Sequence, residues 1–214
     1  MEVPHFDLKR QYAGIRDEIR AALDRVCESA AFILGEEVAQ FEKEFAAYCE
    51  TTYCVALNSG TSALHLALLA AGVGQGDEVI TTANTFIATA EAISYTGARP
   101  VFVDVDPATA NLDPGRIKRA ITPRTKAIIP VHLYGRPADL DPILETAKRR
   151  KIVVVEDACQ AHGARYRGKR VGGFGQSAAF SFRRRTPASA TNPAISRTRP
   201  GSAIRRSACL SSPN

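Results

Sequence analysis

Several short segments of this 214-residue chain combine residue types that can do chemistry. Gly60-Thr61-Ser62 lies between a short apolar run at 53–57 and a helical stretch that continues to Ala71. Backbone N–H groups at a helix N-terminus, flanked by two hydroxyls, make an anion cradle. The same tripeptide can equally be an ordinary Ser/Thr helix cap. Glu156-Asp157 closes the apolar run that begins at Ile152. A carboxylate there can hold a protonated ring nitrogen or a metal, or cap the helix that follows. Gln160 lies one turn further on, with Cys159 beside it and His162 after it. One histidine near one aspartate lacks a third ligand at standard spacing, so no metal site is expected. Phe86 opens the helical segment after the second strand, where an aromatic either stacks on a planar ligand or packs in the core; core packing is the default. Ser181, at the end of the last strand, is either a hydroxyl donor or a plain strand-end serine. His132 follows the run 127–131 and reads as a loop anchor rather than a catalytic group.

The elements that must position these residues follow from periodicity. Leu8, Tyr12, Ile15, Ile19, Leu23 and Val26 recur at steps of three and four, an amphipathic helix over 8–27. Val38, Phe41, Phe45 and Tyr48 predict a second helix ending before Thr51. From there strands and helices alternate. Strands are expected at 53–57, 78–81, 100–105, 127–131, 152–156 and 178–182, with helices near 86–96, 114–121 and 139–150 between them. Continuous apolar strands separated by helices imply an α/β fold, a mostly parallel sheet covered by helices on both faces, in three α-β-α layers. Ligands of such sheets sit beyond the carboxyl ends of the strands. The chemistry-bearing residues fall at those ends.

Composition narrows the function. Hydrophobic residues are 45% and charged residues 23%, as in a soluble globular protein. The net charge of +6 resides in one segment: residues 183–214 hold seven arginines and no Asp, Glu or Lys. Taking those seven from the 28 Lys and Arg leaves 21 basic against 22 acidic groups in residues 1–182. Nucleic-acid binding is therefore not expected of the folded part. Five cysteines without a C-x-x-C pair fit neither a disulfide scaffold nor a zinc site. The start lacks a secretory pattern, and the longest apolar stretch, near 63–73, is interrupted by His65 and too short to span a bilayer. The expected location is the cytoplasm, away from membranes.

Taken together, the blocks of sequence resemble the DegT/DnrJ/EryC1/StrS family of sugar aminotransferases. The resemblance runs over about residues 5–182. It rests on Phe6-Asp7-Leu8-Lys9-Arg10-Gln11-Tyr12, Phe32-Ile33-Leu34-Gly35, Asn58-Ser59-Gly60-Thr61-Ser62-Ala63-Leu64 and Gly76-Asp77-Glu78-Val79-Ile80. It continues in Thr85-Phe86-Ile87-Ala88-Thr89-Ala90-Glu91, Pro130-Val131-His132-Leu133-Tyr134-Gly135 and Glu156-Asp157-Ala158-Cys159-Gln160-Ala161-His162-Gly163. The resemblance implies an aspartate-aminotransferase-like large domain that binds pyridoxal 5'-phosphate. Gly60, Thr61 and Ser62 would hold the cofactor phosphate, with a further contact from Ser181. Phe86 would lie against the pyridine ring. Asp157 would pair with the ring nitrogen and keep the ring an electron sink, and Gln160 would hydrogen-bond the ring hydroxyl. An amino acid, commonly glutamate, would donate the amino group to a nucleotide-linked keto sugar, and such enzymes are usually homodimers.

One departure bears on activity. The family places its Schiff-base lysine a few residues past the serine–phenylalanine pair. Here Ser181-Phe182 is followed by Arg183-Arg184-Arg185-Thr186-Pro187, and no lysine occurs after Lys169. A guanidinium stays protonated and cannot replace that amine. The expected catalytic set is therefore empty, the large domain incomplete at its C-terminus and the chain as written inactive. The alternative is a non-catalytic remnant that binds cofactor or a partner. Residues 183–214, rich in Arg, Ser, Ala, Pro and Thr, read either as a disordered basic tail or as an out-of-frame translation, since their composition suits shifted GC-rich codons.

Overall fold

The computed structural model describes residues 7–182 and the strand backbone of 208–212. Two helices come first, α1 (Leu8–Ser29) and α2 (Glu36–Cys49). The Asp7 carboxylate caps α1 by accepting the Arg10 N–H at 2.8 Å. The expected stripe of α1 is helical but not buried: Ala22 is its one buried residue, and Leu8, Tyr12 and Leu23 are exposed. The α2 stripe does bury Val38, Phe41 and Phe45.

Strand–helix alternation then follows: β1 (Tyr53–Leu57), α3 (Gly60–Ala70), β2 (Glu78–Thr82), α4 (Ala88–Tyr95), β3 (Arg99–Val103), α5 (Pro114–Ala120), β4 (Thr125–Ile128), α6 (Leu140–Arg150) and β5 (Val153–Asp157). A small hairpin, β6 (Arg165–Tyr166) with β7 (Lys169–Arg170), precedes β8 (Ser177–Ser181) and β9 (Ala208–Ser212). The seven-stranded sheet has the order β1-β9-β8-β5-β4-β2-β3. Pairs β2–β3, β2–β4, β4–β5 and β5–β8 are parallel; β9 runs antiparallel to both neighbours.

The alternation of side chains along each strand divides the core. Val79, Ala127, Val155 and Ala179 pack with Leu64, Leu68, Ala92 and Ile93 of α3 and α4. Their sequence neighbours Ile80, Ile128 and Val154 pack with Ile117 of α5 and Ile143 of α6. Ala178 and Phe180 meet Phe41 and Phe45 of α2. Both faces of the central strands are apolar, the signature of a sheet covered on both sides, and the three-layer fold expected from the sequence is what the chain forms.

Glu78 braces the opposite edge of the sheet, at the start of β2. It is 1% exposed, yet accepts hydrogen bonds from Thr122 Oγ1 (2.6 Å) and from Arg99 and Arg124 (2.7 Å each). Those three partners pull its carboxyl down to about 2.

Two features bear on the expectations about cysteines and the terminal segment. Cys54 is disulfide-bonded, while Cys27, Cys49 and Cys159 are free; a single bond falls short of the disulfide scaffold that the cysteine pattern does not fit. No ordered element was expected in 183–214, whereas Ala208–Ser212 form the strand between β1 and β8. Without it both strands would present unpaired backbone groups to each other. Residues 183–207 lie outside the described residues, and the disorder expected for them is left there.

Candidate functional site

Six strands run in one direction, and four of them, β1, β2, β5 and β8, end at Leu57, Thr82, Asp157 and Ser181. All four ends lie on one edge of the sheet, so the segments that follow them converge there.

Gly60, Thr61 and Ser62 form the first turn of α3. The cap is the residue before them: Ser59 Oγ accepts the Ser62 N–H at 3.1 Å and donates to Ser62 Oγ at 3.0 Å. Ala63 N–H goes to the Ser59 carbonyl. The amides of Gly60 and Thr61, at the first two helical positions, fall outside the helix's own ladder. They are the groups an anion would meet, on the positive end of the helix dipole. Gly60 is glycine for a reason of space. A Cβ there would lie 2.8 Å from Cys159 Sγ and 2.8 Å from Ser181 Cβ. The end of β8 and the turn after β5 thus press against the start of α3, which places Ser181 beside the cradle. The phosphate and cap readings of this tripeptide are compatible, because Ser59 does the capping.

Asp157, 6% exposed at the end of β5, has both carboxylate oxygens oriented. Thr89 Oγ1 donates to Oδ2 at 2.7 Å, and the Cys159 N–H donates to Oδ1 at 3.2 Å. Thr89 stands one turn after Phe86, and its own N–H bonds the Phe86 carbonyl at 3.1 Å. Phe86 is 42% exposed, so the default expectation of core packing is not met. Position on the open edge, rather than residue type, decides this. Gln160 Oε1 accepts the Tyr134 N–H at 3.1 Å. That bond assigns the two ends of the amide and leaves Nε2 as the end able to donate outward. Tyr134 takes a left-handed conformation (φ 53°) within the turn that reaches Gln160.

Glu156 points the other way from Asp157, as adjacent strand residues must. It is fully buried and accepts four hydrogen bonds. Phe174 and Gly175 N–H reach Oε1, and Gly172 N–H reaches Oε2, all at 2.8 Å; His132 Nε2 reaches Oε2 at 3.1 Å. His132 Nδ1 accepts the Ala138 N–H at 3.0 Å, so Nε2 carries the ring proton. Burial works to raise the Glu156 carboxyl, but the His132 contact and the backbone donors outweigh it and hold the group below its usual range. His132 is therefore the loop anchor that its position suggested. Burial raises the Cys159 thiol well above its ordinary value, reinforced by Asp157, and lowers His162 to about 4. Neither is built as a nucleophile or base at neutral pH.

The residues singled out in the sequence thus fall into two groups. Gly60, Thr61, Ser62 and Ser181 gather at the α3 terminus, and Phe86 is tied to Asp157 through Thr89. Gln160 lies three residues past Asp157, held by the Tyr134 turn. The hydroxyl of Thr89 and the Ser59 cap were not singled out. Ser59 was recognisable as the residue before a helical run, whereas Thr85 lies in the bend before α4 and Thr89 in its first turn. Nothing local indicates that Thr89 faces a carboxylate 68 positions away.

Comparison with known proteins adds to this geometry. Residues 13–188 match the model of the DegT/DnrJ/EryC1/StrS aminotransferase family, against the 5–182 read from the motifs. The chain is 53% identical over 180 residues to the dTDP-3-amino-3,4,6-trideoxy-alpha-D-glucose transaminase of Streptomyces venezuelae, covering 84% of this chain and 48% of that protein. Its structure is similar to that of S. venezuelae DesV in complex with a ketimine intermediate, with TM-score 0.87 and 46% identity, over 99% of this chain and 54% of the other. It is also similar to Bacillus subtilis NtdA with bound cofactor PMP, with TM-score 0.83 and 33% identity, over 100% of this chain and 45% of the other. The chain spans about half the length of the curated relatives it matches.

Proposed function

The chain belongs to the DegT/DnrJ/EryC1/StrS aminotransferase family, and from that premise we propose that it carries the cofactor-holding part of a pyridoxal-phosphate-dependent sugar aminotransferase. The reaction moves an amino group from an amino acid, glutamate, to a nucleotide-linked keto sugar. The enzyme is a cytoplasmic homodimer. The observation that carries this reading is the convergence, at one sheet edge, of the α3 first-turn amides, an exposed aromatic face and an oriented carboxylate.

The residues present suit that cofactor. Open amides beside the Thr61 and Ser62 hydroxyls match a phosphate, and the missing Cβ of Gly60 keeps the backbone close to Cys159 and Ser181. Asp157 has two acceptor positions engaged by Thr89 and Cys159, so lone pairs remain for the ring N–H. Gln160 offers an amide donor for the ring hydroxyl, and Phe86 a face for the ring. Bound there, the cofactor supplies an electron sink for the carbon whose amino group moves. Asp157 holds the proton on the ring nitrogen, α3 fixes the phosphate, and Phe86 covers one face against water.

What the chain lacks is the amine that would link the cofactor and shuttle the proton. No lysine follows Lys169, whose Nζ donates to the Gly173 carbonyl at 2.8 Å within the β6–β7 region. We therefore expect the 214-residue chain to hold the cofactor without turning over, and residues 183–214 to be out of frame. Three measurements test this. Titration with pyridoxal 5'-phosphate should give a saturable absorbance change, and its absence would remove the cofactor reading. Borohydride treatment should leave no covalently fixed cofactor by mass; a mass gain would restore a functional amine. Reading the coding DNA across codons 175–215 in all three frames should reveal a lysine and a glycine-rich continuation one base away. If no frame does, the chain is a binding remnant.

A further inference from the structure

Asp157 ends β5, and its Oδ2 receives a hydroxyl proton from Thr89 at 2.7 Å. Thr89 is itself 1% exposed, and its Oγ1 lies 2.8 Å from Thr85 Oγ1. Proton accounting gives this chain a direction. A carboxylate only accepts, so the single Thr89 proton goes to Asp157. The proton between the two threonines must then come from Thr85. The order is Thr85 to Thr89 to Asp157, and each bond polarises the next. The Cys159 N–H holds the other oxygen at 3.2 Å. Two donors on two oxygens fix the carboxylate plane.

Both threonines belong to the segment that carries Phe86. Thr89 N–H bonds the Phe86 carbonyl. A single stretch at the end of β2 thus supplies an aromatic face and also orients a carboxylate on β5. A ring stacked on Phe86 and paired through its nitrogen with Asp157 would have both contacts set by one piece of backbone.

We infer that Thr89, supported by Thr85, is a positioning residue that aims Asp157 at a heteroaromatic ring nitrogen. The inference rests on the cofactor reading above and names how this chain achieves it. Thr89 touches no reacting atom; it acts through Asp157.

The test uses the full 214-residue chain and two probes: pyridoxal 5'-phosphate and its 1-deaza analogue, in which C–H replaces the ring nitrogen. Thr89→Val keeps the shape and removes the hydroxyl; Thr89→Ser keeps the hydroxyl. Thr89→Val should weaken pyridoxal 5'-phosphate roughly tenfold, the scale of one hydrogen bond to a charged group. It should leave the deaza analogue unaffected, and Thr89→Ser should restore affinity for the natural ring. A merely structural role would weaken both probes together. Equal loss for both, no loss for either, or failure of Thr89→Ser to rescue overturns the inference. Should Thr89→Val not fold, Thr85→Val removes only the outer donor. It should weaken the natural ring alone, by about threefold, and equal loss of both probes again overturns the inference. If the unsubstituted chain shows no saturable binding of pyridoxal 5'-phosphate, the cofactor reading has failed and this inference falls with it. That result is distinct from a chain that binds but ignores Thr89.

Discussion

Replacing Glu156 with glutamine should destabilise the domain severely. The carboxylate accepts two N–H donors on Oε1 and two more on Oε2, one of them from His132. Glutamine offers one oxygen and one NH2. Whichever way the amide is turned, two inward-pointing donors then face a third donor in a fully buried site. Each lost hydrogen bond to a charged group is worth ~1.5–3 kcal/mol, so the pair amounts to ~3–6 kcal/mol. A domain has ~5–15 kcal/mol in total. At this size each kcal/mol moves the melting point by ~2–4 °C, so a drop on the order of 10 °C is expected. Thermal and urea melts of Glu156→Gln against the unsubstituted chain provide the assay. The sign with pH follows from the lowered carboxyl. Its stabilisation is present above the unfolded carboxylate value, ~4.3, and is lost as pH falls through the lower folded value. The gap between the two proteins should therefore be full at pH 7 and narrow in acid. A loss under ~1 kcal/mol at pH 7, the scale of a single neutral hydrogen bond, would show that the four donors find other partners and refute the reasoning.

Gly60→Ala should cost ~1–3 kcal/mol of stability through overpacking, because its Cβ meets Cys159 and Ser181 at 2.8 Å, and it should weaken phosphate-bearing ligands; calorimetry with pyridoxal 5'-phosphate reads both. Glu78, pulled down to about 2 by Thr122, Arg99 and Arg124, contributes stability above its ordinary range that is lost as pH falls toward that value, so Glu78→Gln should flatten the acid limb of the melting curve. Native alkylation at pH 8 should label Cys27, which is exposed, and spare Cys49 and Cys159. Burial pushes Cys49 up to about 12 and Cys159 well above its ordinary value, and mass spectrometry showing fast labelling of Cys159 would contradict the close packing around Gly60.

Much of this protein is legible along the chain. Strand β1 spans the predicted 53–57, and α6 and β5 start within one residue of expectation, because period-2 and period-3.6 patterns report which face each residue turns inward. The α3 terminus was recognisable as a cap or an anion cradle from three consecutive residues, Gly60-Thr61-Ser62. The sequence also placed Glu156 and Asp157 together at a strand end. Alternation alone implies that they face opposite layers, but it does not say which of them faces a ligand.

The tertiary structure shows which protein groups each carboxylate meets. Glu156 draws its donors from His132 and from 172–175, and Asp157 draws Thr89 from across the sheet. Gly60 acquires its steric constraint from Cys159 and Ser181, residues that local reading treats separately. The exposure of Phe86 and of the α1 stripe likewise depends on what packs against them, not on their own periodicity. The physical reason is one of range. Local patterns constrain residues within about four positions of one another. Which strands become neighbours depends on the sheet order β1-β9-β8-β5-β4-β2-β3, and that order is set by long-range burial and backbone pairing that no short window contains.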